Sequence, residues 1–418
     1  MLRPIVRFAT ALLALAAPCG AGSLGTPYTE PAQFTKIPFG THSHWAQPWR
    51  AYLETMPATT FLNGPGINWN ATEQSPELLA RMLASHGIRH ARIEVGWGSI
   101  NFEDETKING AESLAARLKA CRKYDIRPLI LLNAHQGVPC PVQMFSRKLT
   151  QDAHKGDTTV TLNDVSGLQV GYSGLSQLSD YWAAEALITK INGSTVTLSK
   201  PLPKDIPSGT DVPMATLKYR PFSDPATDDG KATLAGWTRY VDTLAKFVAG
   251  ALGTTHSPDK GFDMEIWNEL TFGSQFLSIN NYYAGRPYKY DDNAIWGRLV
   301  KETADFADAH PEEFQGVLFG DGFANTIPWP SSSTEPPRIS AIDKHPYAGR
   351  RHYPKDNYQG DTLNALYEKD AYVPTYTALF PEYFATALQT ETMVREIAPM
   401  VNDLYGTKRG RYGRVIGG

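Results

Sequence analysis

Strand and helix signals alternate along most of this chain. That alternation constrains the fold more than any other feature, because it is the pattern of a parallel sheet joined by crossover helices. After a Pro-rich lead-in over 22–58, residues 59–67 read as a first strand. Ser75-Pro76 then opens a helix as N-cap and first residue, Leu78, Leu79, Met82 and Leu83 form its stripe, and Gly87 ends it. Residues 91–97 give the second strand, and Leu114, Leu118 and Cys121 mark the next helix at i, i+4, i+7. The third strand, 128–133, is an unbroken apolar run of the kind buried on both faces. A helix over 234–251 carries Trp237, Val241, Leu244 and Val248, and 262–267 is the fourth strand. Ile295, Leu299, Thr303 and Phe306 stripe the following helix, and 317–320 and 339–343 are strands five and six. No period repeats, which excludes a solenoid.

The alternation breaks over 148–219. Short β-like stretches at 158–162, 186–191 and 195–198 are separated there by Gly, Asn, Asp and Pro, and Asn192-Gly193 is a hairpin turn signal. The segment reads as a small all-β insertion after strand three, on the top face, serving as a substrate-binding wall or as a spacer. The 418 residues suffice for one large α/β barrel plus such a module. The expected division is 1–21 export signal, 22–147 first part with strands one to three, 148–219 insertion, and 220–418 second part.

A net charge of −3 argues against a nucleic-acid or anionic-membrane partner. Nine Trp fit a large core, and equally platforms for sugar rings. Arg3 and Arg7, a short apolar run over 9–17 and the small residues Cys19-Gly20-Ala21-Gly22 form an export signal; the chain is expected to be secreted or periplasmic. Cys19 would suit a lipid anchor, but Pro18 before it fits that pattern poorly. Cys121 and Cys140 are expected beyond disulfide reach, as two free thiols. No CxxC or HExxH occurs, and Gly87 breaks the helix between His86 and His90, so no metal or cofactor is expected.

Glu269 directly follows an apolar strand, Trp267 and Asn268. The stretch Glu265-Ile266-Trp267-Asn268-Glu269 resembles the fourth-strand signature of clan A glycoside hydrolases, particularly families 39 and 5. The resemblance implies a (β/α)8 TIM barrel and a retaining mechanism on a carbohydrate substrate. In such a mechanism two carboxyl groups held about 5–5.5 Å apart share the chemistry. It also implies that Glu269 is the acid/base and that Asn268 reads the sugar's 2-hydroxyl; the plain alternative is a glutamate capping the next loop. Residues 91–97 resemble the clan's second strand, so that Arg92 would orient the nucleophile, or else simply pair with Glu94 or Glu265. His345-Pro346-Tyr347 resembles the end of the sixth strand, with His345 and Tyr347 near the nucleophile. Asn133 and His135 at the end of strand three, and Trp97 at the end of strand two, complete the expected substrate-binding set. The likeness spans about 59–145 and 220–405.

The family's nucleophile is a Glu ending strand seven, and Thr390-Glu391 is the one candidate. Phe384, Leu388, Val394, Ile397, Val401 and Leu404 recur at helical steps, so 382–405 reads first as the sixth helix, with strand seven beginning after the basic stretch 408–414. The alternative makes 386–391 strand seven and Val415-Ile416 a stub of strand eight. Both leave the barrel unfinished, so the sequence is expected to be a fragment of a longer reading frame, incomplete at the C-terminus and inactive if its nucleophile is missing. The rival from another class is a non-catalytic carbohydrate-binding barrel. An aldolase or isomerase would need a Schiff-base lysine or a phosphate loop, and Lys344 is the lone lysine near a strand end.

Overall fold

Parallel pairing organises the chain in a computed structural model that describes residues 66–71, 73–134, 137–179, 181–270, 275–289, 292–323, 336–344 and 414–417. The strands in chain order are β1 (Gly66–Asn68), β2 (His90–Gly96), β3 (Arg127–Asn133), β4 (Val142–Lys148), β5 (Thr159–Thr161), β6 (Ser173–Leu175), β7 (Ala186–Asn192), β8 (Thr195–Leu198), β9 (Asp211–Leu217), β10 (Asp263–Ile266), β11 (Phe319–Gly320), β12 (Ile339–Lys344) and β13 (Arg414–Gly417). The helices are α1 (Pro76–Ser85), α2 (Ala111–Lys123), α3 (Asp228–Leu252), α4 (Asp292–Ala309) and the single turn α5 (Pro311–Phe314).

Seven strands form one parallel sheet in the order β1-β2-β3-β10-β11-β12-β13, and the pairing does not close on itself among the described residues. The strand beside β12 is β13, with Ile342 opposite Val415, so 414–417 occupies the seventh position. That agrees with a strand beginning after the basic stretch rather than with a stub of strand eight. The export signal, the segment 382–405 and Glu391 lie outside the described residues, as does most of the first strand read over 59–67.

Local chemistry explains the helix ends. Ser75 Oγ accepts from Leu78 N, and Pro76 sits where no amide donor is needed. Thr227 caps α3 by accepting from Gly230 N at 3.1 Å, Asp228 and Asp229 meet the positive end of its dipole, and Gly253 ends it at φ 69°. The buried stripes Leu114–Leu118–Cys121 and Trp237–Val241–Leu244–Val248 pack against Ile93, Ile130, Leu132, Met264 and Ile266 of the sheet. The core lies on this face of the sheet.

A six-stranded antiparallel sheet, in the order β4-β9-β6-β7-β8-β5, occupies the stretch between β3 and α3. It has its own core, including Leu162, Leu175, Ile188, Val196 and Met214. Its first strand begins at Val142, ahead of the boundary at 148 read from the sequence, and β4 pairs along its whole length with the last strand, β9. The β7–β8 hairpin turns on Gly193-Ser194 rather than Asn192-Gly193: Asn192 pairs with Thr195, and Gly193 takes φ 58° at the first central position.

Candidate active site

Alternation along the strands gives the parallel sheet a second face of different character. Glu94, Leu131 and Glu265 share one register row across β2, β3 and β10, and Arg92 lies two residues before Glu94. The Arg92 side chain crosses over β3, about 9.5 Å for two strand spacings, to meet Glu265. Nε donates to Oε2 and Nη2 to Oε1, each at 2.6 Å, and Nη2 also donates to Asn268 Oδ1 at 3.0 Å. Glu265 is wholly buried. Of the sequence alternatives for Arg92, its bidentate partner is thus Glu265, and the same guanidinium reaches Asn268. Because the Asn268 oxygen faces Arg92, the two N–H donors of that amide are directed away from the guanidinium.

Burial pushes the Glu265 carboxyl up to about 8, the nearby charge of Asp343 adds to this, and Arg92 opposes both without overcoming them. Asp343, the penultimate residue of β12, lies on the same side, and its amide donates to Asp321 Oδ1 at 2.9 Å just past β11. Folded Glu265 holds its proton more tightly than the unfolded chain does, so stability is fully present at acid pH and falls as pH rises from the ordinary glutamate range towards 8. Asp343→Asn is expected to lower the Glu265 titration midpoint and flatten that fall. Carboxyl-selective NMR titration measures the first and denaturant unfolding at pH 5 and pH 8 the second; an unmoved midpoint would show the two groups to be uncoupled.

The chain leaves β10 through a bent turn. Trp267 and Glu269 take φ of 73° and 56°, a left-handed region that bulky residues avoid, on either side of Asn268. Each costs of the order of 1–3 kcal/mol and persists only where the surroundings enforce it. They do: Trp267 is wholly buried, 5.5 Å from Trp237 and 6.1 Å from Phe222. Leu270 N is held by Gly322 O at 2.9 Å. Asn268 and Glu269 stay partly exposed at the strand's end.

Asn133, at the end of β3, is buried; its Nδ2 donates to Glu94 Oε1 at 2.8 Å and its backbone amide to Tyr240 Oη at 3.3 Å. Trp97 is a correction to the expected set. It is wholly buried, because a short 3-10 turn over Trp97–Ser99 tucks the ring inward. There it stacks on Tyr219 at 5.1 Å and meets Trp237 edge-on at 5.7 Å, with no face left for a sugar. Trp97→Phe is expected to cost about 1–3 kcal/mol of stability through the cavity it leaves, read by urea unfolding; a change below about 0.5 kcal/mol would contradict this packing role. His135, His345 and Tyr347 lie outside the described residues. Cys121 and Cys140 are both buried and free, with thiols pushed up to about 12 by burial. Asp343 and Gly322 were not singled out from sequence, and Glu265 was named only as one possible partner of Arg92. The available signal was the pair of acids in the otherwise apolar strand Asp263–Ile266.

No family model matches the chain, and no curated protein is similar to it. Solved structures are. A rutinosidase from Aspergillus niger shares 13% identity over 64% of this chain and 53% of its own, with a TM-score of 0.31. A family 39 glycoside hydrolase from Bacteroides cellulosilyticus shares 10% over 69% and 39%, TM-score 0.33, and a family 5 xyloglucanase from Paenibacillus pabuli 12% over 85% and 78%, TM-score 0.35. These neighbours are glycoside hydrolases. The chain spans about half the length of the rutinosidase. At such TM-scores the likenesses carry no weight for this chain's chemistry, which rests on the geometry above.

Proposed function

We propose that the protein is a retaining glycosidase on a (β/α)8 barrel, acting outside the cytoplasm on a polysaccharide or glycoside, with Glu269 as the acid/base. The observation that carries this reading is the turn Trp267-Asn268-Glu269. Two enforced left-handed residues fix a partly buried carboxyl at a strand end, beside an amide whose oxygen is already taken by Arg92. A proton donor has to be held rigidly, and strain accepted at one turn is a sign of such positioning. Asn268 is assigned to the sugar's 2-hydroxyl through its remaining N–H donors. The attacking carboxyl falls to a residue outside the described set, Glu391 being the candidate within this chain. The segment 1–21 supports export.

A second reading has its own observation: Arg92, which the family resemblance reserves for the nucleophile, is engaged by Glu265 in two short bonds. On that reading the barrel binds glycans without cleaving them. A panel of alkyl and p-nitrophenyl glycosides incubated with the full chain separates the two. Hydrolysis with retained anomeric configuration, lost on the alkyl glycosides in Glu269→Gln while binding persists, supports the glycosidase. Binding without hydrolysis supports the second reading, and an inverted product overturns the retaining mechanism.

A further inference from the structure

The loop between β6 and β7 is braced far beyond what a connection needs. Ser176 Oγ donates to the Ala183 carbonyl and Gln177 N to that of Trp182 at 3.2 Å, so the loop closes on itself at its base. The buried Glu185 carboxylate fills it from within, accepting from Leu178 N at 2.8 Å, from Ser179 N at 3.0 Å and from the Ser179 hydroxyl. Ala183 N donates to Gly137 O at 2.8 Å, tying the loop to the segment leaving β3. Trp182 packs on Tyr282 at 5.3 Å and lies under the Lys200 ammonium at 5.0 Å. Burying a carboxylate and bending Gln177 to φ 53° both cost free energy. What this bracing holds out is an exposed ring, Tyr181, 54% accessible, with Val138 at 42% also open on the segment leaving β3.

The ring's position is as telling as its exposure. A Cβ on Gly137 would lie 3.4 Å from Tyr181 Cδ2, so the ring runs along backbone just past the end of β3. Leu132 pairs with Ile266, so β3 and β10 leave the sheet side by side, one towards Gly137 and the other into Trp267-Asn268-Glu269.

From this we infer that Tyr181 is a stacking platform for one pyranose ring of a glycan chain, contributed by the antiparallel sheet at the mouth of the strand-three and strand-four ends. The inference rests on the glycosidase reading and adds to it a substrate class: an oligosaccharide that extends past the scissile bond, not a simple glycoside. A pyranose presents apolar C–H faces rimmed by hydroxyls, which an amphipathic phenol ring matches. Two open side chains fall far short of the roughly 800 Å² per partner that a stable protein interface needs. A preorganised loop also spares the ordering cost that a flexible one pays on binding.

The test is calorimetric titration of the full chain carrying Glu269→Gln, which slows turnover of such unactivated sugars, with cellotetraose, mannotetraose and xylotetraose. At least one tetraose is expected to bind. Adding Tyr181→Ala weakens it at least about tenfold, roughly 1.4 kcal/mol. Tyr181→Phe stays within about twofold, because stacking and not the hydroxyl carries the contact. Unfolding midpoints of the three proteins tell a loss of contact apart from a loss of fold. Equal affinity of the Tyr181→Ala protein and its parent overturns the platform. If no tetraose binds but p-nitrophenyl glycosides do, the platform falls alone; if neither binds, the glycosidase reading falls with it.

Discussion

Gly322→Ala is expected to lower the unfolding free energy by about 3 kcal/mol or more, among the largest losses any single methyl can cause. The residue sits just past β11 at φ 68°, where an L side chain is strained whatever the space. Space is also lacking. A Cβ there would lie 2.5 Å from the Trp267 carbonyl oxygen and closer still to that of Ile266. Both obstacles are backbone, so no rotamer change relieves them. The chain must move, and what moves is the turn that carries Asn268 and Glu269, since Gly322 O also holds Leu270 N. Stability and glycoside hydrolysis should therefore fall together, although the methyl touches no substrate. Urea unfolding with the slope checked for constancy measures the first; a variant within 1 kcal/mol of the parent would mean that the two strand ends are not pressed together.

Glu269→Gln is expected to lower kcat on glycosides with poor leaving groups by about 10²–10⁴-fold, the size of a lost general acid. The amide keeps the shape and the hydrogen-bonding reach of the carboxyl and removes only its proton chemistry. The diagnostic is therefore the dependence on leaving group. A departing alkoxide needs the proton, whereas a dinitrophenolate leaves nearly unaided. The loss should shrink steeply along a series of aryl glycosides as the phenol becomes more acidic, when the bond-breaking step is followed by pre-steady-state kinetics. A uniform loss across the series would reassign Glu269 from proton donor to a residue that positions substrate.

Much of the framework was legible in the sequence because its causes are local. Ser75-Pro76 and Gly87 act through their own turns of helix, and the third strand is a run of apolar residues. Strands β4, β6 and β9 were missed for the opposite reason. Ser173-Gly174-Leu175 has neither length nor alternation, and it is a strand only because β7 and β9 flank it. The site divides the same way. Trp267-Asn268-Glu269 could be picked out by pattern, but the partnership of Arg92 with Glu265 spans 173 residues and depends on register across a third strand. Nothing in the letters Trp and Glu announces a left-handed backbone at 267 and 269. Trp97 was misplaced because the end of a barrel strand suggests a pocket, whereas one turn of 3-10 helix sends the ring into the aromatic core.

The zipper of β4 against β9 brings the two ends of the antiparallel sheet together, with Lys218 N bonded to Pro141 O at 2.9 Å just outside it. A segment whose exit lies beside its entrance behaves as a cassette: it can be lengthened, exchanged or excised without altering the span that its host must bridge. Selection can thus retune what reaches the mouth of the parallel sheet by editing one contiguous stretch of gene, while the strained turn carrying the carboxyl is left untouched.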